Sequence, residues 1–519
     1  MVAAGHAQTA AAACAVLAEG GNAIDAALAA LLAACVAEPV LASLGGGGFL
    51  TVRPADGPHA GRTIVYDFFV QTPRRRRIDG ELDFREIVAD FGPATQTFHI
   101  GLGAIATPGI VKGLFAAHRD LGHMPLRNLI QPAVGLARNG VLVDGMQAYV
   151  LRVVGAIVNA DPSMGALFES PQRRGELISE GELLRMPELA DALEAIAIEG
   201  EDLFYRGEMA ALLARDCEAR GGHLTRADLE TYRVERRLPL TLPVFGGLVD
   251  LNPPPCSGGI LVGFGLALWE ALGRLDGGFG SPSHLRRLVA VMQATEQARI
   301  EERLHEPGLE KADAADLLLN PALIARWRDE VAASARVVRG TTQISVVDRS
   351  GSVASLSVSN GEGSAYVLPG TGIILNNMLG EAGLLPDGVA AAWPRDSRLS
   401  SMMTPAIVRD AAGGTTALGS GGSNRIRTAM LQALLNVLAF DMRPQEAVAA
   451  PRLHCEEAIL SVEPGFAEDA VAAAAADLQI ANWPAQNLFF GGVHMVRRSA
   501  TGAFEGAGDA RRGGVACTV

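Results

Sequence analysis

The sequence has no CxxC pair, no HExxH and no other metal-ligand spacing. Its six cysteines (Cys14, Cys35, Cys217, Cys256, Cys455 and Cys517) and ten histidines are scattered. That distribution argues against a bound metal and against a disulfide framework, so reduced, mostly buried thiols are expected. No apolar run reaches the roughly 20 residues a membrane span needs; the run Ala26 to Ala37 stops at Glu38-Pro39. Met1 to His6 has no charged region followed by an apolar core, so no signal peptide is read there and cytoplasmic residence is expected. Positive charge is scarce too. A net charge of −13, with one short basic run from Arg74 to Arg77, excludes nucleic acid as the main partner. The glycines Gly45 to Gly48 are not followed by a GK[ST] signature, which makes a nucleotide site improbable. No cofactor is expected.

What is present is apolar mass and glycine. Hydrophobic residues make up 49% of the 519, charged residues 19%, and 60 glycines are spread along the chain, as in a globular protein rich in tight turns. The length exceeds a usual single core, yet a layered α/β enzyme of this size can be one compact unit. Ala7 to Ala37 reads as two alanine-rich helices. Gly20-Gly21 ends the first and Asn22 starts the second. Gly45 to Gly48 then enters a strand through a loop whose backbone must come close to something else. Thr63 to Val70 reads as the next strand, residues 141–250 as mostly helical, and His284 to Leu304 as an amphipathic helix with Leu285, Leu288, Val289, Met292 and Ile300 on its apolar face. Lys311 to Gly340 is expected to be a helix followed by a loose linker. Cys256, within Pro253-Pro254-Pro255-Cys256-Ser257-Gly258-Gly259, lacks a His and Asn partner signature and is not expected to act as a nucleophile.

The stretch that organises the rest is Gly340-Thr341-Thr342-Gln343-Ile344-Ser345-Val346-Val347-Asp348. From Thr342 it alternates polar and apolar residues as a half-buried strand does, and a second alternating run, Val353 to Ser359, follows a turn. A turn centred on Ser350-Gly351 would set Ser359 opposite Thr342 and Asn360 opposite Thr341. A threonine hydroxyl is a poor nucleophile, but if the chain is cut before it the freed α-amine can serve as its base. Such an amine has a pKa of roughly 7.7–8.0, so part of it is neutral near physiological pH. Gly340, with no Cβ, can adopt the backbone conformation that lets the Thr341 oxygen reach its carbonyl.

Thr341 to Asp348, Gly370 to Asn377 and Leu399 to Met402 with Thr404-Pro405 resemble, in that order, the small subunit of the γ-glutamyltransferases. The Gly20 to Ala27 segment, Glu38-Pro39, Gly45 to Phe49, Ala106 to Gly109 and Pro253 to Gly259 resemble the large subunit, so the likeness spans nearly the whole chain. The resemblance implies an α/β protein, a four-layer αββα sandwich of the N-terminal-nucleophile hydrolase type. It implies a precursor that cuts itself between Gly340 and Thr341 into regions 1–340 and 341–519, which stay together as one globular unit. It also implies site roles: Thr341 as nucleophile, Ser359 holding its amine, and an oxyanion hole at Gly421-Gly422 or, without a gap, Gly422-Ser423. On the substrate side it implies Asn360, Glu381 for an ammonium group, Ser400 and Ser401 for the α-carboxylate, and Arg77 as a carboxylate clamp after a one-residue slip from Ile78.

The implied reaction is cleavage of a small γ-glutamyl amide such as glutathione, with transfer to water or an amine. Two other readings stay open. One is an amidase or acylase of the same fold, such as a cephalosporin acylase, favoured by the altered stretch near Arg77, by Gln343 where relatives have histidine, and by Glu381. The other is an uncleaved, inactive relative with a binding role.

Overall fold

A computed structural model of the chain describes residues 1–90, 95–304, 316, 318–330, 341–381, 393–456, 458–475 and 478–519. Gly340 and the end of the expected linker, 331–340, lie outside the described residues, whereas Pro321–Glu330 is helical. In chain order the strands of the two large sheets are β1 (Val2–Ala4), β2 (Gly47–Arg53), β3 (Ile64–Phe68), β4 (Glu235–Arg237), β5 (Leu240–Val244), β6 (Gly247–Leu251), β7 (Thr342–Val347), β8 (Val353–Ser359), β9 (Ala406–Arg409), β10 (Thr415–Gly421), β11 (Gly492–Arg498), β12 (Phe504–Ala507) and β13 (Val515–Cys517). The first sheet runs β13-β1-β7-β8-β2-β3-β4 and the second β12-β11-β10-β9-β6-β5. Both are antiparallel throughout. Helices α1 (Ala7–Ala18) and α2 (Ala23–Ala37) cover the outer face of the first sheet. On the second lie α3 (Ser257–Ala271) and α5 (Arg425–Leu438), with α4 (Pro282–Glu301) packed against α3. This is the expected αββα sandwich.

Local chemistry explains the first layer. The Asn22 side chain accepts from the Ile24 and Asp25 amides (2.9 and 2.8 Å), and the Asp25 carboxylate accepts from the Asn22 amide (3.1 Å), a reciprocal cap that starts α2. All residues of α2 are buried, because its alanines let the helix lie between the sheet and a further helix, Leu126–Asn139.

The central strand departs from expectation: β7 is buried on both faces. Ile344 and Val346 join the core beneath α2, while Gln343 and Ser345 face the second sheet. There Ser345 Oγ donates to the His494 carbonyl and Ser355 Oγ to the Leu418 carbonyl, both at 2.9 Å. A polar face normally marks solvent; here it marks a neighbouring sheet whose carbonyls need donors.

The hairpin register also differs by one residue. Thr342 pairs with Val358, not Ser359. The turn is tied by Asp348, whose amide donates to the Ser352 carbonyl (3.0 Å) and whose carboxylate accepts from the Ser352 amide (2.9 Å), so three residues and not two form its tip. Within 141–250, expected to be mostly helical, the last segment supplies β4, β5 and β6. Cys14 in α1 and Cys517 in β13 are disulfide-bonded, which corrects the expectation of reduced thiols; Cys35, Cys217, Cys256 and Cys455 are buried and free. Among the described residues no helix is long and apolar enough to cross a membrane.

Candidate active site

Thr341 stands at the mouth of β7, 3% exposed. Continuing the observed register by one position sets Ser359 across from it, so the corrected turn brings the two hydroxyl residues together where the expected one would have separated them. Two glycines hold this corner by close approach. A Cβ on Gly46 would lie 2.4 Å from the Ser359 carbonyl oxygen, and one on Gly421 would lie 1.9 Å from the Thr341 carbonyl oxygen. Neither backbone can retreat without breaking a sheet. After Gly421 the chain turns into α5 through Gly422 (φ 130°) and Ser423 (φ 56°). Ser423 is thus a non-glycine residue in the left-handed region, at a typical cost of about 1–3 kcal/mol.

These corners open on a cleft of about 480 Å³, open solvent at its mouth included, which Thr341, Ser359, Glu381, Ser400, Ser401 and Ser423 all line. Ser400 and Ser401 reach it because Arg398 is pinned below them. The Arg398 guanidinium stacks on the Tyr232 ring (4.8 Å), donates to the Phe69 carbonyl and the Tyr232 hydroxyl, and lies near the Asp67 carboxylate (3.6 Å). Ser400 Oγ then donates to Ser257 Oγ (3.1 Å), and Ser401 Oγ accepts from the Met403 amide (3.0 Å). Glu381 lies beside Gly361, where an added Cβ would sit 2.8 Å from its Oε1.

Other expected site residues lie elsewhere. Arg77, expected as a carboxylate clamp, does not line the cleft. Its Nε donates to the Gly222 carbonyl (2.7 Å), its Nη2 donates to the Glu218 carbonyl (2.9 Å), and the same nitrogen pairs with the Glu218 carboxylate (2.8 Å). That guanidinium is satisfied by its own neighbourhood. Asn360 is fully buried outside the cleft lining, and its side-chain amide finds no hydrogen-bond partner among the described residues. Of the three residues considered for the oxyanion hole, Ser423 is among the residues lining the cleft and Gly421 and Gly422 directly precede it in the chain, Gly421 against the Thr341 carbonyl. Cys256 donates its thiol to the Ser401 and Met403 carbonyls (2.8 and 3.2 Å), and burial pushes that thiol up to about 11, so it braces the serine segment.

Several lining residues went unpredicted: Ser257, Asn424 and an apolar wall of Phe69, Met378, Met402, Met403 and Ile426. Phe69 and Ser257 come from region 1–340, and no short motif signals that two distant segments converge on one pocket. No arginine or lysine is among the described lining residues. The cleft therefore offers the buried Thr341 hydroxyl, a cluster of further hydroxyls, one carboxylate and an apolar wall, which suits acyl transfer from a small amide.

Comparison with known proteins gives a consistent picture. A family described as gamma-glutamyltranspeptidase matches residues 9–519. A glutathione hydrolase proenzyme from Escherichia coli (strain K12) is 32% identical over 88% of this chain and 81% of its own length. An acylase ACY 1 proenzyme from Pseudomonas sp. (strain V22) is also 32% identical, over 90% and 84%. In fold the chain resembles the crystal structure of a cephalosporin acylase from Bacillus halodurans, with a TM-score of 0.84 at 24% identity, covering 99% of this chain and 94% of that one.

Proposed function

Because the chain belongs to the γ-glutamyltranspeptidase family, we propose that it cuts itself between Gly340 and Thr341 and then cleaves small γ-glutamyl amides, glutathione among them. In the first step the Thr341 hydroxyl adds to the Gly340 carbonyl, the peptide C–N bond breaks, and the resulting ester is hydrolysed, leaving Thr341 with a free amine. In turnover that amine takes the hydroxyl proton as the oxygen attacks the substrate's amide carbon. It then returns the proton to the departing amine, and an acyl ester on Thr341 remains. Water or an acceptor amine adds to the ester and restores the hydroxyl.

Ser359, opposite Thr341, holds the amine. Backbone N–H groups of Gly422 and Ser423 are assigned to the developing oxyanion, since the turn before α5 leaves donors of a helix start unpaired. Glu381 is assigned to a substrate ammonium, and Ser400 and Ser401 to a carboxylate. The observation that carries this reading is the convergence of Thr341, Ser359, Glu381, Ser400, Ser401 and Ser423 on one cleft. It is tested by following glutathione and a γ-glutamyl anilide with wild-type protein and Thr341→Ala. Turnover and self-cleavage are both lost in the variant if the reading holds, and either one surviving refutes it.

One observation favours a second reading, an acylase for another acyl group. The described cleft lining holds no guanidinium for an α-carboxylate and has Met378, Met402 and Met403 in its wall. A serine hydroxyl is a weaker partner for a carboxylate than a forked guanidinium. Assaying glutaryl amides beside γ-glutamyl ones decides between the two by the ratio of kcat/KM. The Cys14–Cys517 link further supports maturation in an oxidising compartment over the cytoplasmic residence expected from the sequence. Fractionation of cells expressing the full-length gene, with the protein found only in the cytosol, would reject that.

A further inference from the structure

The peptide unit that follows the nucleophile is gripped from the side away from the cleft. Arg512 Nη1 donates to the Thr341 carbonyl (3.1 Å), and Thr342 Oγ1 donates to Glu38 Oε2 (2.7 Å). Glu38 Oε1 accepts in turn from Thr9 Oγ1 (2.8 Å). Glu38 and Arg512 are each 7% exposed, and both line a second cavity, mostly apolar, that also touches Gly5, His6 and Met146. Burial raises the Glu38 pKa, and the two hydroxyl donors and nearby Arg512 oppose that rise. Burial also lowers Arg512, to about 10. A carboxylate hidden this far from water persists only where its oxygens are occupied, and one of the two occupants is the residue next to Thr341.

The sheet does not supply this grip by itself. On one side β1 reaches only as far as Ile344, its partner being Ala4, so Thr341 and Thr342 project past the end of that neighbour. While the precursor is whole, Thr341 is tethered on both sides. Once the bond before it is cut, it becomes a chain terminus on a strand that at this point is bordered on one edge only, by β8, and such an end frays unless something else ties it down. Gly5 leaves room for the tie: a Cβ there would lie 2.5 Å from Glu38 Oε2 and 3.1 Å from Thr342 Oγ1.

Taking Thr341 as the nucleophile, as proposed above, we infer that Glu38 is a positioning residue for acyl transfer: through the Thr342 hydroxyl it fixes the new chain end so that the Thr341 hydroxyl and amine stay aimed into the cleft. Glu38 lies behind β7 and touches no substrate. It acts across the cut, from region 1–340 onto region 341–519, so the larger fragment remains part of the catalytic geometry after cleavage. The expected signature is a loss in kcat without a loss in substrate binding, because the acyl pocket is built from other residues.

The test uses full-length protein that has matured, with a γ-glutamyl anilide as substrate and processing read on a denaturing gel. Thr342→Val removes the hydroxyl with little change of volume. It lowers kcat by about ten- to a hundredfold with KM within about twofold, the size expected when a reacting group drifts by roughly 1 Å. Thr342→Ser keeps the hydroxyl and returns kcat to within about threefold of wild type on the same scale. Glu38→Gln with Thr342→Val is no slower than the slower single variant, since both break one contact. The proposal is overturned if Thr342→Val keeps wild-type kcat, if Val and Ser behave alike, if KM rises while kcat stays, or if the two substitutions multiply. Should Thr342→Val fail to fold, Thr342→Ala against Thr342→Ser reads the same contrast. Thr341→Ala separates the premise from the inference: turnover surviving in that variant means that the nucleophile assignment has failed, whatever Glu38 does.

Discussion

At Gly421 a single missing carbon decides whether Thr341 can be where it is. The Cβ of any other residue would fall 1.9 Å from the Thr341 carbonyl oxygen, and both partners are backbone at the meeting point of two sheets. Gly421→Ala is therefore expected to move Thr341 and reduce kcat/KM by about a hundredfold or more, in line with angstrom-scale misplacement of a reacting group. Side-by-side kinetics and melting curves check this, and a variant with unchanged kcat/KM would contradict it. At this scale the sequence was readable where a residue type has few uses: Thr341 before a strand, glycines before a helix, paired serines. It was not readable where a position depends on its surroundings. Arg77 has the right chemistry for a carboxylate, but Glu218 and the Gly222 carbonyl occupy it, and both lie about 140 residues downstream. Ser257 enters the cleft only because Ser400 comes to it from another part of the chain.

Among the elements, the two alanine-rich helices were legible, with Gly20-Gly21 as stop and Asn22 as start, because that chemistry is local; the second helix begins at Ala23, and the structure adds the Asp25 half of its cap. The β7–β8 hairpin was legible as a hairpin but one position out, because the Asp348 carboxylate on the Ser352 amide selects the longer turn. A one-residue slip exchanges the faces of a strand, and here it decides whether Ser359 meets Thr341.

Two buried histidines give the elements a pH response. His494 on β11 and His284 at the start of α4 are both held down to about 4, chiefly by burial, with Arg287 adding to the effect at His284. Their folded values lie below the unfolded value of about 6.5, so the unfolded chain binds the extra protons and stability falls as pH drops from about 6.5 towards 4. The contribution is present in full above pH 6.5. Melting temperatures at pH 7.5 and 5.0 test this: the wild type is expected to lose several degrees, and His284→Gln to lose fewer. Equal losses would argue that burial of this ring does not set the response.

Across the whole molecule, the first and last strands and the strand that follows the proposed cut site share one sheet. Strand β1 lies between β13 and β7, so residues from the start of the sequence, from its end and from the proposed cleavage point are neighbours. The αββα layering was legible through the resemblance. The disulfide was not, because its cysteines are separated by 503 positions and no spacing rule reaches that far. If the chain is cut as proposed, the disulfide joins the two fragments, since Cys14 belongs to region 1–340 and Cys517 to 341–519. Matured protein is expected to run as one band on a denaturing gel without reductant and as two with it, and Cys14→Ser to run as two in both. Two bands without reductant from wild type would show that the fragments are held by packing alone.

The central claim is that a backbone amine, uncovered by self-cleavage, makes Thr341 the attacking group. N-terminal sequencing and intact mass of the smaller fragment from freshly purified, reduced protein test it most directly. The expected fragment begins at Thr341 and spans 519 − 340 = 179 residues. A fragment beginning at any other residue, or an active protein that stays whole, would contradict it.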